Sequence, residues 1–200
     1  MRSIVLASGS PARLQILRRA GLDPEVVVSG VDEDAVRADS VPSLVVELAR
    51  AKASAVAATV DRALVIGCDS LLEFGGRPFG KPRSADEAAG WWRARRGGTG
   101  TLHTGHCVVD AATGAAVTAA ASTDVRFGSP TDDEIAGYIG TGEPLRVAGA
   151  FTLEGLGAWF IEGIDGDAGN VMGLSLPVLH RLLRSVGVPL TEVWPASPAG

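Results

Sequence analysis

Val5-Leu6-Ala7-Ser8-Gly9-Ser10-Pro11-Ala12-Arg13-Leu14-Gln15-Ile16-Leu17 is the stretch from which the fold can be read. A short apolar run ends in small hydroxyl-bearing residues, and Pro11 then opens an apolar repeat of helical period, which predicts strand, tight turn and helix. Ser10 suits the N-cap. Pro11 suits the first helical position, and Arg13 falls in the first turn. Exposed backbone amides, the positive end of the helix dipole, the hydroxyls of Ser8 and Ser10 and a guanidinium together suit a phosphate ester. The same residues also describe a well-capped helix with a solvated arginine, and this stretch alone does not separate the two.

Working outward, Gly21 is placed to end the first helix near residue 20, with Leu14, Ile16 and Leu17 inward. Residues 24–29 are apolar and β-branched and predict a strand. It delivers the chain to Asp32, Glu33 and Asp34, which read either as a solvated turn or as oxygen ligands for a hard cation. Residues 43–59 predict a long helix on the stripe Leu44, Val45, Leu48, Ala51, Ala55 and Val56; Arg50 and Lys52 fall off it, so Lys52 reads as a surface lysine. Residues 63–67 form the continuous apolar run of a strand buried on both faces. The run continues past Asp69 into residues 71–74. An acid there is costly unless it is paired, bound to a metal or open to a cleft.

Gly75 to Lys81 fits the first positions of a P-loop but fails as one. Pro82 stands where the magnesium-binding hydroxyl belongs, and Phe74-Gly75-Gly76-Arg77 is a hairpin signal, not a helix start. Ser84 with Glu87 predicts a capped helix to about residue 96, its Arg93, Arg95 and Arg96 reading as a solvated end. Residues 101–109 and 115–127 predict an antiparallel pair, in which His103 and His106 point to opposite faces and make poor joint metal ligands. Thr131 with Glu134 predicts another capped helix, with Ile135, Tyr138 and Ile139 inward. A glycine-rich stretch, 148–157, precedes a strand at 158–162. Asp165 to Asn170 lacks the ligand pattern of a calcium loop and reads as a turn. A final helix spans 176–186, and the tail from Pro195 reads as frayed.

The chain has 200 residues, 46% of them hydrophobic, which fits one domain with an ample core. A net charge of -5 argues against a nucleic-acid polymer as partner, and any cationic function must be local. Two cysteines, Cys68 and Cys107, lack metal spacing and read as free buried thiols in a reducing compartment. No run approaches the length of a membrane span and no leader pattern opens the chain, so the expected setting is cytoplasmic. Arg13, Lys52 and Lys81 with Glu33 and Asp69 are the parts of a polyphosphate site: cations for non-bridging oxygens, carboxylates for a divalent ion or a water.

The motifs Leu6-Ala7-Ser8-Gly9-Ser10-Pro11-Ala12-Arg13, Val31-Asp32-Glu33, Ala51-Lys52-Ala53, Val65-Ile66-Gly67-Cys68-Asp69, Gly80-Lys81-Pro82, Thr104-Gly105, Thr141-Gly142-Glu143-Pro144, Ala148-Gly149-Ala150 with Gly155-Leu156-Gly157, and Gly166-Asp167 to Gly173-Leu174 resemble the Maf family of nucleoside triphosphate pyrophosphatases. The likeness runs from near Ile4 to Val186. It implies an α/β fold: a two-lobed single domain over residues 1–195, ahead of a short tail at 196–200, with an elongated mixed sheet, flanking helices and a nucleotide cleft between the lobes, related to the inosine triphosphate pyrophosphatases. It implies cleavage between the α- and β-phosphates with Mg2+ or Mn2+, giving a nucleoside monophosphate and pyrophosphate in a house-cleaning role.

Carried over residue by residue, the resemblance makes Asp69 the general base or organiser of the attacking water, with Glu33 beside it on metal or water. Glu33 and Asp69 are the implied metal ligands. Ser8, Ser10 and Arg13 hold phosphates, and Lys52 and Lys81 neutralise the leaving pyrophosphate. Ser70, after the catalytic acid, resembles the members acting on dTTP and UTP, whereas those acting on methylated GTP and CTP tend to carry Gln there. Ala12 stands where the family often has a second arginine. Glu154 stands where many members have a base-contacting Gln, and a carboxylate cannot donate an amide proton. A homodimer is compatible with the resemblance. A second reading, from another class, is a nucleotide-binding regulator of cell division with incidental hydrolysis.

Overall fold

The opening apolar run forms β1 (Ile4–Leu6), buried along its length, and Ser10 caps α1 (Pro11–Arg19) as its composition predicts. A computed structural model describes residues 2–194. The frayed tail expected at 196–200 lies outside the described residues. β1 has parallel neighbours on both sides, β2 (Glu25–Val26) and β3 (Leu64–Phe74), with Leu6 opposite Val26 and Ile66. The strand expected at 24–29 is thus reduced to two residues. It is an edge strand; Val26 is 42% exposed and Val28, just past it, 71%, while Val27 between them packs partly on the core.

Glu33–Ala35 is a single 3-10 turn capped by Asp32, and α2 (Val41–Ala57) follows on a Ser40 cap. β4 (Arg77–Phe79) folds back on β3 through Gly75 and Gly76, whose φ values of 57° and 74° suit the tight turn. The remaining elements are α3 (Ala85–Arg95), β5 (Thr99–Asp110), β6 (Ala116–Phe127), α4 (Asp132–Gly140), β7 (Ile161–Asp165), the one-turn α5 (Ala168–Val171) and α6 (Leu176–Ser185). The mixed seven-stranded sheet has the order β2-β1-β3-β5-β6-β7, with β4 on β3. β7 begins later than the strand expected at 158–162, because Leu156–Phe160 takes 3-10 geometry behind Gly155 at φ 127°.

The chain forms two compact units. One comprises the residues up to Asp69, Thr104–Ala121 and those from Gly173 onward; the other comprises Ser70–His103 and Ser122–Met172. In the first, α2 lies against β3 and β5 over a core of small residues that includes Ala49, Ala53, Val65 and Cys107. The approach is close enough that a Cβ on Gly67 would stand 2.3 Å from the Ala49 carbonyl oxygen, and one on Gly105 2.0 Å from that of Val45. Only glycine fits at either strand position. Cys68 and Cys107 are both buried free thiols.

The second unit is built around Trp92, which meets Phe127, Tyr138 and Phe160 edge-on at 5.7–5.8 Å. Arg95 departs from expectation. It is not at a solvated helix end but 2% exposed, on the inward stripe with Ala88 and Trp92. Arg93 is exposed and Arg96 half-buried, both paired with Asp132. Among the described residues no helix is long and apolar enough to cross a membrane.

Candidate active site

The parallel pair β1 and β3 sets the site at its carboxyl ends, where open α/β sheets place ligands. The Ala7 amide donates to the Ile66 carbonyl at 2.8 Å; beyond it β1 gives way to the turn at Ser8, while β3 runs on through Asp69. Ser8 is buried, and its Oγ accepts from the Ser10 amide at 3.3 Å and from Arg13 Nη1 at 3.0 Å. Arg13 Nε donates to the Gly173 carbonyl at 2.8 Å. Arg13 is therefore a buried, two-point-anchored guanidinium at the start of α1, not a solvated helix residue. Ser10 serves as the N-cap, accepting from the Arg13 amide.

Asp69 points to the same face of β3 as Gly67, two residues before it, and that face meets α2. Lys52, next to Ala53 on α2, consequently reaches it: Nζ lies 2.5 Å from Asp69 Oδ1 and 2.6 Å from Glu33 Oε1. The surface-lysine reading of Lys52 is overturned, since the residue is 8% exposed. Counting only apolar residues missed a lysine whose stem lies along the core while its charge is paired. Burial pushes the Asp69 carboxyl above its ordinary value, against the pull of Lys52 and then Arg13, and Glu33 adds to the upward push. Glu33 itself keeps a 56% exposed side chain. Burial likewise lifts the neighbouring Cys68 thiol to about 11, leaving it protonated and inert.

Ser8, Ser10, Arg13, Glu33, Lys52 and Asp69 thus all belong to the first unit, and Arg13 and Lys52 both act electrostatically on Asp69. Ser70, Lys81 and Glu154 belong to the second. Ser70 is half-buried directly after Asp69, Lys81 is exposed after Gly80, and Glu154 is half-buried in a turn where its amide donates to Thr152 Oγ1 at 3.0 Å.

A family profile described as Maf-like protein matches residues 3–186. The chain belongs to the Maf family. Among its relatives, a nucleoside triphosphate pyrophosphatase of Streptomyces coelicolor is 63% identical over 96% of this chain and 95% of its own length, and one of Streptomyces avermitilis is 60% identical over the same shares. The chain is also similar, at 16% identity and a TM-score of 0.42, to the crystal structure of a nucleoside-triphosphatase / dITP/XTP pyrophosphatase from Mycobacterium abscessus, over 92% of this chain and 97% of that one.

Within this Maf chain, three contributors escaped the reading of the residues. His106 Nε2 accepts from the Ser175 amide at 2.8 Å and so steadies the turn whose Gly173 carbonyl holds Arg13. Glu143 accepts from the Tyr138 hydroxyl and the Gly157 amide, both at 2.9 Å, and from the Leu156 amide at 3.1 Å, tying down the segment after Glu154. Arg95 is the third. Its spacing from Ala88 and Trp92 was the available signal, masked by the neighbouring arginines.

Proposed function

We propose that Asp69, Lys52, Glu33, Arg13 and Ser8 form the hydrolytic centre of this nucleoside triphosphate pyrophosphatase. Asp69 acts as general base or organiser of the water that attacks between the α- and β-phosphates, releasing a nucleoside monophosphate and pyrophosphate. The observation that carries this reading is the Asp69 carboxyl itself, buried in the middle of β3, raised in pKa and held by a lysine. A base of that kind is better matched to neutral pH than a solvated aspartate. Ser8 and Arg13, beside the amides of the α1 terminus, hold phosphate oxygens, and Lys52 and Lys81 offset charge developing on the leaving pyrophosphate.

The donor set also suits a divalent cation of the magnesium type. Glu33 and Asp69 are the one or two carboxylates with which such an ion shares substrate phosphates, and no group of three or more His, Cys, Asp or Glu forms a cage among the described residues. Bound there, Mg2+ or Mn2+ would supply charge neutralisation on the phosphates. Ser70 supports a preference for dTTP and UTP. The two free thiols support a reducing, cytoplasmic setting, and a homodimer is the assembly to be sought by sedimentation.

Pyrophosphate release from a panel of canonical and methylated triphosphates, with Mg2+, Mn2+ or EDTA, tests the reading. The expected result is metal-dependent release, fastest with dTTP or UTP and lost in Asp69→Asn. Fastest release from methylated GTP or CTP would overturn the pyrimidine preference. Full activity of Asp69→Asn would remove Asp69 from the chemistry, and tight nucleotide binding without turnover would favour a regulatory role.

A further inference from the structure

A buried guanidinium needs a reason, and among the described residues no carboxylate pairs with Arg95 to supply one. Desolvation pulls it down to about 9, and only Tyr138 acts in the other direction. It is sandwiched in aromatic rings, 4.1 Å from the centroid of Trp92, 4.6 Å from that of Phe127 and 5.8 Å from that of Phe151. Its polar partners are two successive backbone carbonyls: Nη1 donates to Gly149 O, and Nη2 to Ala150 O at 3.5 Å, where Trp92 Nε1 also donates at 2.9 Å.

Those carbonyls belong to an unusual turn. Gly149 and Ala150 both take left-handed backbone, at φ 66° and 56°, and for alanine this conformation is strained. The turn keeps its shape because the guanidinium fork and the indole capture both of its buried carbonyls. An apolar residue at 95 would leave the Gly149 oxygen without that partner. On its other edge the same turn grips a second loop, through the Gly149 amide donating to Gly80 O at 2.8 Å. A Cβ on Gly149 would meet Leu72 at 2.8 Å, so the turn is also wedged from below. Gly80 immediately precedes Lys81, whose side chain is exposed.

We propose that Arg95 is a positioning residue for Lys81: it fixes the Gly149-Ala150 turn, the turn fixes Gly80, and Gly80 sets where the Lys81 ammonium is presented. The proposal rests on Lys81 being a leaving-group cation. Arginine is required for geometric reasons, because a planar fork can span adjacent carbonyls while stacking on tryptophan, and a lysine ammonium can do only part of this.

The test is a double-mutant cycle of Arg95 with Lys81, read as kcat/KM for the triphosphate hydrolysed fastest in the panel, with a thermal melt of each variant to follow folding. In the native background Arg95→Met lowers kcat/KM about 10- to 100-fold, the cost of a displaced charge, and Arg95→Lys recovers part of it. In a Lys81→Ala background Arg95→Met costs less than about threefold, because there is no longer an ammonium to misplace. Equal losses in the two backgrounds would mean that Arg95 merely supports the core, and would overturn the proposal while leaving Lys81 in its role. Lys81→Ala with native kinetics would overturn both. If Arg95→Met fails to fold, the same comparison with Arg95→Lys decides.

Discussion

Lys52 Nζ stands 2.5 Å from Asp69 Oδ1, and both side chains are only 10% exposed. Glu33, the other acid on that ammonium, is largely in water, so the two carboxylates of the site are unequal. Burial raises the Asp69 carboxyl and Lys52 is the first influence opposing it. Lys52→Met leaves the carboxylate buried without its cation, which costs about 3–5 kcal/mol when the acid is ionised. The sign follows from proton uptake. A carboxyl raised on folding binds more protons in the native state, so stability declines as pH rises from the ordinary Asp value through the raised one. Urea melts of Lys52→Met therefore show a larger loss at pH 8 than at pH 5, and the acid limb of any residual activity moves to higher pH. A loss independent of pH would contradict the pairing.

Gly67 and Gly105 allow the contact to form, since α2 could not otherwise lie close enough for Lys52 to reach β3. Gly67→Ala drives a methyl into the Ala49 carbonyl and is expected to cost about 3 kcal/mol or more, lowering Tm by roughly 10 °C and activity with it. Gly137→Ala is the contrast. It lies inside α4 with open space around a Cβ, and helix propensity makes it neutral to stabilising by about 1 kcal/mol. Differential scanning calorimetry of the two variants separates close approach from general sensitivity of glycines.

How far this arrangement could be read from the chain depended on whether the cue was local. Ser10-Pro11, Thr131 with Glu134 and Gly75-Gly76 fix their caps and turn through neighbours in sequence, and α1, α4 and the β3–β4 hairpin follow. Asp69 was conspicuous because an acid in an apolar strand needs a partner. The identity of that partner was not legible, because Lys52 becomes buried only through the approach of α2 to Gly67. Arg95 was misread for the same reason: its partners are the carbonyls of Gly149 and Ala150, far along the chain. The strand expected at 24–29 overreached because β-branched composition reports fitness for a sheet, not the length of the neighbour available for pairing.

Glu143 holds the segment after Glu154 by charge-assisted hydrogen bonds, and its carboxyl has a titration to match. Desolvation pushes it up, but the amides of Gly157 and Leu156, the Tyr138 hydroxyl and Arg146 together bring it below its ordinary value. A carboxyl lowered on folding contributes stability that is complete above the unfolded Glu value of about 4.3 and is lost as pH falls through the folded one. Glu143→Gln, which cannot accept at both oxygens, is expected to lose about 1–3 kcal/mol at pH 7. In urea titrations the gap between native protein and variant then closes below pH 4. A gap that persists unchanged at pH 3 would show that the carboxylate charge is not what holds the segment.

Arg13 is the point at which the opening stretch becomes a site or remains a capped helix. Its Nε is committed to the Gly173 carbonyl and its Nη1 to Ser8, so the guanidinium is aimed before any ligand arrives. With Ala12 beside it, it is the only guanidinium in that turn. Arg13→Ala removes both the charge and the aim, and is expected to lower kcat/KM about a hundredfold or more, as loss of a preorganised donor does. Arg13→Lys keeps the charge but cannot hold Gly173 and Ser8 together in the same plane, so its loss falls in between, about tenfold. Steady-state kinetics of the two variants at saturating metal, with circular dichroism to confirm folding, give the comparison. Unchanged kinetics in Arg13→Ala would return residues 5–17 to a structural role; equal losses in the two variants would show that the fork, not the charge, is what the phosphate requires.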